Sequence, residues 1–254
     1  MELRHFETLD STNAYLRQLL LEERLPDETV VLADYQTAGR GQSGTVWESE
    51  ASLNLTFSFL IYHIPPFPAK NHFFLSQIVS LCLKSALEEQ LPSDIPSQFS
   101  IKWPNDIYWG DSKIAGVLIE NDITEAEFYH SIIGIGVNVN QRHFTGEAPN
   151  PISLCQITGI EHDRILFLNR FMEHFRNYRL DIKEYRTKTV RDLYHAALYR
   201  RGCPGSFCDA GGTFTASVES VLPDGRLRLR TPAGIVRSYA FKEIRFILPS
   251  DPAV

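Results

Sequence analysis

Phe99-Ser100-Ile101-Lys102-Trp103-Pro104-Asn105-Asp106-Ile107-Tyr108-Trp109-Gly110-Asp111-Ser112-Lys113-Ile114-Ala115-Gly116-Val117-Leu118-Ile119-Glu120 reads as strand, turn, strand, turn, strand. Pro104 ends the first strand, because proline fixes φ and cannot donate to a ladder. Ile107-Tyr108-Trp109, the Gly110-Asp111 turn and residues 113–120 predict a hairpin. Lys102, Asn105 and Asp106 then crowd one strand end, where ligands bind in α/β sheets. Lysine neutralises phosphate, aspartate holds a metal ion or orients an amine, and asparagine can donate or accept. Lys113 stands at the mouth of a strand whose Ala115 and Gly116 let a ligand approach the backbone closely. The plainer alternatives are an Asx-capped turn and a lysine snorkelling from a strand end.

Outward from this stretch the periodicity alternates between strand and helix. Residues 127–139 form a strand that includes Gly134 and Gly136, and Asn138 at its end offers an amide able to read a base. Upstream, Leu53, Leu55, Phe57, Phe59 and Ile61 alternate at strand period, and residues 29–35 read as a buried strand. Residues 71–90 predict a helix with Leu75, Ile78, Val79, Cys82 and Ala86 on one face. Residues 3–9 predict a strand, and Asp10-Ser11-Thr12-Asn13 offers N-caps for a helix carrying Leu16, Leu19, Leu20 and Glu23. A short helix is expected near 153–158, and Asp163 caps a longer one with Ile165, Leu168, Met172, Phe175 and Arg179 on its face. Near residue 200 the composition changes. Strands at 214–221, 226–231, 235–241 and 244–248, separated by Pro223-Asp224-Gly225 and Thr231-Pro232-Ala233-Gly234, predict a small antiparallel barrel. The fold class is therefore α+β: a mixed-sheet domain over 1–198 and a small β domain over 199–254.

Gly39-Arg40-Gly41-Gln42-Ser43-Gly44 matches G-x-G-x-x-G in letters only. A dinucleotide site needs those glycines between a strand and a helix whose amides hold the pyrophosphate. Here Thr45-Val46-Trp47 and a strand pattern follow, so that reading fails. What remains is a flexible loop with exposed amides and one cation, Arg40, suited to wrapping a phosphate or carboxylate. An ordinary surface loop is the alternative.

Composition narrows the class further. The chain has 254 residues, 43% hydrophobic content and a net charge of −6, without the basic footprint of a nucleic-acid binder. Cys82, Cys155, Cys203 and Cys208 include no C-x-x-C pair, so neither a zinc site nor a disulfide framework is expected, although Cys203 and Cys208 are near enough in sequence to pair. Residues 1–6 lack a signal-peptide core, and no run approaches the roughly 20 apolar residues of a membrane span, so the expected location is cytoplasmic. No Ser-His-Asp or Cys-His arrangement stands out.

The ordered set Asp10 with Ser11, Thr12 and Asn13, then Gln36 with the glycine loop and Trp47, Lys102 with Asn105 and Asp106, Lys113 with Gly116 and Glu120, and Gly134 with Asn138 resembles the biotin protein ligases. The resemblance implies a catalytic domain of the class II synthetase/SH2-like type and a C-terminal SH3-like barrel. It implies a ligase that forms biotinyl-5'-AMP from biotin, ATP and Mg²⁺ and transfers biotin to a lysine of a biotin carboxyl carrier protein domain. Ser11, Thr12, Asn13, Gln36, Gly39, Arg40, Gly41, Gln42, Lys113 and Gly116 are thereby expected at biotin. Arg40, Trp47, Lys102, Asn105, Asp106, Lys113 and Asn138 are expected at ATP, with Arg40, Lys102, Asp106 and Lys113 catalytic and Asp106 the metal candidate. The loop is expected to order when ligand binds. The chain departs from the family where Gln42 replaces an arginine and where Thr45 and Val46 replace basic residues of some members. Fewer cations then surround the phosphates, and adenylate retention rests more on Arg40 and Lys113. Ten residues ahead of Ser11 leave no room for the DNA-binding domain of repressor-type members, so no DNA and no membrane partner is expected, and a homodimer is left open. The alternatives are a lipoate ligase or octanoyl transferase on a related scaffold, and a non-catalytic module that captures biotin or a nucleotide.

Overall fold

In a computed structural model describing residues 1–124, 127–146, 150–184 and 186–249, the elements run β1 (Glu2–Leu9), α1 (Thr12–Glu22), β2 (Thr29–Gln36), β3 (Leu55–Pro68), α2 (His72–Glu88), β4 (Phe99–Lys102), β5 (Asp106–Trp109), β6 (Ser112–Thr124) and β7 (Glu127–Val137). Then come α3 (Leu154–Thr158), α4 (Arg164–Asn177), α5 (Arg179–Lys183), α6 (Thr187–Ala196), β8 (Pro204–Asp209), β9 (Gly212–Val221), β10 (Leu227–Arg230), β11 (Val236–Tyr239) and β12 (Arg245–Ile247). The first seven strands form one sheet in the order β1-β2-β3-β7-β6-β5-β4. Only β1 and β2 run parallel; the other neighbours are antiparallel, so the sheet is mixed.

Successive strand residues face opposite sides of a sheet, and the burial follows that alternation. Val30, Leu32, Phe57, Phe59, Ile61, Ile133 and Ile135 face the main core with α2, α4 and α6. Val31, Leu60 and Ile132 face the other side and meet Leu16 and Leu19 of α1. Phe171 of α4 stands edge-on to Phe57 and Phe59, with ring centroids 5.6 and 5.7 Å away. Fully burying each such ring stabilises the fold by about 1.5–3 kcal/mol.

Asp163 caps α4 as expected, accepting from Ile165 N at 2.8 Å and Leu166 N at 3.0 Å. Leu168, Met172 and Phe175 are buried, joined by Phe167 and Phe171. The expected face overreached at both ends. Ile165 lies in the first turn and is 36% exposed, and Arg179 belongs to α5 after the helix breaks. The helix α6 was not anticipated, although Val190 and Tyr194 repeat at helical spacing and both are buried.

The C-terminal strands form a second, five-stranded antiparallel sheet in the order β11-β10-β9-β8-β12. The expected barrel does not close here: the outer strands β11 and β12 share no ladder among the described residues. Strand β8 was not foreseen either; it carries Pro204 and Gly205, which mask its pattern. All four cysteines are free thiols, including Cys203 and Cys208. Among the described residues no helix is long and apolar enough to cross a membrane.

One buried histidine gives the fold a pH response. His63 is 5% exposed, and its Nε2 lies 2.8 Å from Ser131 Oγ. Burial, with help from Arg179 and His130, lowers its pKa from 6.5 to about 4. The unfolded chain therefore takes up a proton that the folded chain refuses. Stability is full above about pH 6.5 and falls by up to roughly 3 kcal/mol as the pH drops to about 4, with no further loss from this group below that. Thermal melts between pH 7 and 4 should show this slope, and His63→Gln should flatten it; an equal slope in the variant would place the acid sensitivity elsewhere.

Candidate active site

The helix α1 covers only part of its side of the sheet. Beyond it, Gly116, Leu118 and Glu120 of β6 lie beside Gly136, Gly134 and Ile132 of β7, partner to partner. The glycine end of this double row is the floor of a cleft of about 410 Å³. Glycines suit it because a Cβ on Gly134 would fall 2.2 Å from Asn13 Oδ1, and one on Gly136 would fall 2.3 Å from the Trp47 indole. Both neighbours lie directly on the backbone.

At one end of the cleft the first turn of α1 supplies Ser11, Thr12 and Asn13. Ser11 caps the helix, its Oγ accepting from Ala14 N at 3.5 Å. Thr12 donates to Gln36 Oε1 through its backbone N–H at 2.8 Å and its hydroxyl at 3.1 Å. The fully buried Ser58 lies 2.6 Å from Thr12 Oγ1 and 2.5 Å from Asn13 Oδ1. Asn13 Nδ2 donates to Glu120 Oε2 at 2.9 Å. Each amide is thereby held in one orientation, as selective recognition of a polar ligand requires.

At the other end stand the charged groups. The β5–β6 register slips by one between Ile107 and Tyr108: Asp106 faces Gly116 and Ile107 faces Ala115, but Tyr108 faces Lys113. An extra residue in a strand re-aims the side chains beyond it. Ile114 and Ala115 are both buried, and Lys113 comes to the same cleft as Gly116. Lys113 Nζ lies 2.7 Å from Asp106 Oδ1 and 5.6 Å from the Trp47 ring centroid. That oxygen is buried and lacks an aligned hydrogen bond, so the contact is ionic rather than directional. Asn105 lines the cleft but spends its Nδ2 on Val117 O at 2.6 Å, fastening the 103–105 turn to β6. The Trp103–Pro104 peptide within that turn is cis.

The glycine loop is a small hairpin rather than a shapeless loop. Trp47 N donates to Gly39 O at 3.0 Å, Gly41 N donates to Thr45 O at 2.7 Å, and Gln42–Gly44 make a turn of 3-10 helix. A Cβ on Gly39 would lie 2.5 Å from Trp47 O, and Gly44 has φ +87°, so glycine is required at both positions. The hairpin brings Arg40, Gly41, Gln42 and Trp47 to the cleft. Trp47 Nε1 and Gln42 Oε1 are buried there without a hydrogen-bond partner among the described residues.

Arg40, Lys102, Asp106 and Lys113 thus line one cavity together with Ser11, Thr12, Asn13, Gln36, Gly41, Gln42, Trp47, Asn105 and Gly116. Gly39 and Asn138 do not line it. Asn138 is 4% exposed, and its Nδ2 donates to Ile152 O at 3.1 Å. Since Lys113 N donates to Asn150 O at 2.8 Å and Ile152 N to Lys113 O at 2.9 Å, Asn138 braces the segment that holds Lys113. Sequence reasoning missed the share of the C-terminal sheet. Phe241, Ile244, Arg245, Phe246 and Leu248 also line the cavity, and Lys102 Nζ sits 5.0 Å from the Tyr108 ring centroid and 5.1 Å from that of Phe246. Trp103 Nε1 donates to Gly225 O at 2.8 Å, tying the two sheets together. Ser58 was missed as well; only its place in a strand alternating with Phe57 and Phe59 hinted at the polar side.

The model of the biotin/lipoate A/B protein ligase family matches residues 5–138, a little over half of the chain. The chain belongs to this family. Among curated members it is similar to the biotin--[acetyl-CoA-carboxylase] ligase of Paracoccus denitrificans, at 30% identity over 233 residues, covering 89% of this chain and 92% of the relative. It is also similar to the bifunctional ligase/repressor BirA of Bacillus subtilis, at 29% identity over 239 residues, covering 93% of this chain and 71% of the relative. Among solved structures, the biotin protein ligase from Aquifex aeolicus in complex with biotin and ATP superposes with a TM-score of 0.77 at 29% identity, over 97% of this chain and 99% of the other. The superposition therefore includes the C-terminal sheet, which the family model leaves out.

Proposed function

We propose that this chain is an ATP-dependent biotin protein ligase: it joins biotin to AMP as biotinyl-5'-AMP, releases pyrophosphate, and passes the biotinyl group to a lysine of a biotin carboxyl carrier protein domain. The observation that carries this reading is the shared cavity, with fixed amides and hydroxyls at one end, Lys102 and Lys113 at the other, and Arg40 reaching in from the glycine hairpin. The first step joins two anions, since the biotin carboxylate attacks the α-phosphate. Preorganised cations in a cleft that excludes water lower that barrier most effectively, and alignment of the two substrates lowers it further. We assign Ser11, Thr12, Asn13 and Gln36 to the biotin head group, Arg40 and Lys113 to the reacting acid and phosphate, and Lys102 with Trp47 to the nucleotide.

No group of three or more His, Cys, Asp or Glu side chains gathers anywhere among the described residues. Magnesium needs few protein ligands, because it binds through substrate phosphates and one or two carboxylates and keeps its waters, and Asp106 lines the cleft. Asp106 is the carboxylate within reach, and the ion supplies charge neutralisation of the phosphates when bound. In the second step the acceptor lysine must lose a proton, its ordinary pKa being about 10.4. Asp106, released from Lys113 as that lysine turns to the acyl phosphate, is our base or orienting group for the amine.

We read residues 1–198 as the catalytic domain and 199–254 as an SH3-like domain whose Phe246 and Arg245 edge closes the nucleotide end. A cytoplasmic location, where ATP and carboxylases are available, belongs to the same reading. The test is incubation with ATP, Mg²⁺, biotin and a biotin carboxyl carrier domain, read by mass spectrometry. The expected result is one biotinyl mass gain on one lysine, together with biotin-dependent ATP–pyrophosphate exchange. Binding of biotin without exchange would instead mark a capture module, and lipoyl transfer would mark the sister activity of the family.

A further inference from the structure

We propose that Glu120 is a positioning residue that holds Arg40 across the mouth of the biotin end of the cleft and so keeps the acyl-adenylate from escaping; the inference rests on the ligase reading above. Glu120 continues the row of Gly116 and Leu118 on β6, just past the residues that line the cavity. Its side chain is 21% exposed and three groups converge on it. Oε2 accepts from Asn13 Nδ2 at 2.9 Å. Oε1 is 2.9 Å from Arg17 Nη2 on α1 and 3.9 Å from Arg40 Nη2 in the glycine hairpin. One carboxylate therefore meets both a residue of the biotin end and the hairpin's cation.

The chemistry follows from counting donors. A guanidinium has five N–H donors in a rigid fork, so Arg40 can face Glu120 with one edge and keep the others for a substrate carboxylate or phosphate. Arg17 already pairs with Glu120 at hydrogen-bond distance, so its cation offsets the repulsion of an incoming anion while the carboxylate still attracts Arg40. At 3.9 Å the Arg40 contact is a loose tether, consistent with a hairpin that must open for biotin and close over the adenylate. Glu120 thus has two separable effects: its charge steers Arg40, and its oxygen orients the Asn13 amide.

Substitution separates them. Glu120→Gln keeps an amide oxygen for Asn13 and removes the charge that attracts Arg40. It should increase free biotinyl-adenylate in the supernatant roughly two- to fivefold without carrier, the range expected for loss of a part-exposed ion pair. Glu120→Asp, which retains the charge, should leak less than Glu120→Gln. Glu120→Ala should add a rise in the biotin Kd larger than that of Glu120→Gln. Combined with Arg40→Gln, the Glu120→Gln change should add no further leak, because both act through one contact. Thermal melts check that each variant is folded. Wild-type-like retention in Glu120→Gln, or fully additive leaks in the double variant, would overturn the role of Glu120. Absence of adenylate with the wild-type protein would instead overturn the ligase reading, so the two failures are distinguishable.

Discussion

Lys113→Ala should lower biotin-dependent ATP–pyrophosphate exchange by about 10²–10³-fold or more, the range found when one preorganised donor to a developing charge is removed. The register slip of β5 against β6 aims this lysine into the cleft, and Asp106 holds it there at 2.7 Å. At 24% side-chain exposure it is shielded enough for its charge to act at close range. A neighbouring cation cannot replace it: Lys102 lies against the rings of Tyr108 and Phe246, and Arg40 arrives from a separate hairpin. Removing the lysine also strands the Asp106 carboxylate, which is 15% exposed, so some loss of stability is expected too. The double variant Lys113→Ala/Asp106→Asn separates the two effects. It should regain melting temperature without regaining exchange. Exchange retained in Lys113→Ala would take this residue out of the first step.

Residue types and spacing carried most of this site, and the reasons for the exceptions are physical. Ser11 to Asn13, Gln36, the glycine hairpin and the Lys102–Asp106 turn are local signals, each set by nearby backbone chemistry, and they line one cavity. Three other features depend on distant partners. The slip that re-aims Lys113 is a property of two paired strands, and Lys113-Ile114-Ala115-Gly116 reads as an unbroken strand on its own. Asn138 has the right chemistry for a base-reading amide, but the 150–152 segment engages it first. Phe246 and Arg245 reach the cleft only because Trp103 and Gly225 fasten the second sheet over it. The same limit explains the missed α6. Its two buried residues, Val190 and Tyr194, share a short helix with Lys188, Arg191, Asp192 and His195, and packing against α2 makes them core.

Gly136→Ala should raise the ATP KM by about 5- to 150-fold while leaving the fold nearly as stable. The added methyl would lie 2.3, 2.6 and 2.7 Å from three atoms of the Trp47 indole, nearer than any van der Waals contact. Overpacking of this kind costs about 1–3 kcal/mol, which corresponds to that range of affinity. The strain need not fall on the sheet. Gly136 sits within paired strands, whereas Trp47 hangs from a hairpin held by few backbone bonds, so the indole is the group that yields. Its present seat is already costly, since the buried Nε1–H has no acceptor among the described residues. Expelled into water, the indole should shift tryptophan emission to the red, beyond any contribution from the other two tryptophans, Trp103 and Trp109. A red shift with an unchanged ATP KM would dismiss Trp47 from the nucleotide end. No shift at all would mean that the indole does not rest on Gly136, and the glycine pair would then need another explanation. If both changes occur together, the backbone of β7 is bare at this point because a ring has to lie flat on it before a nucleotide can be held.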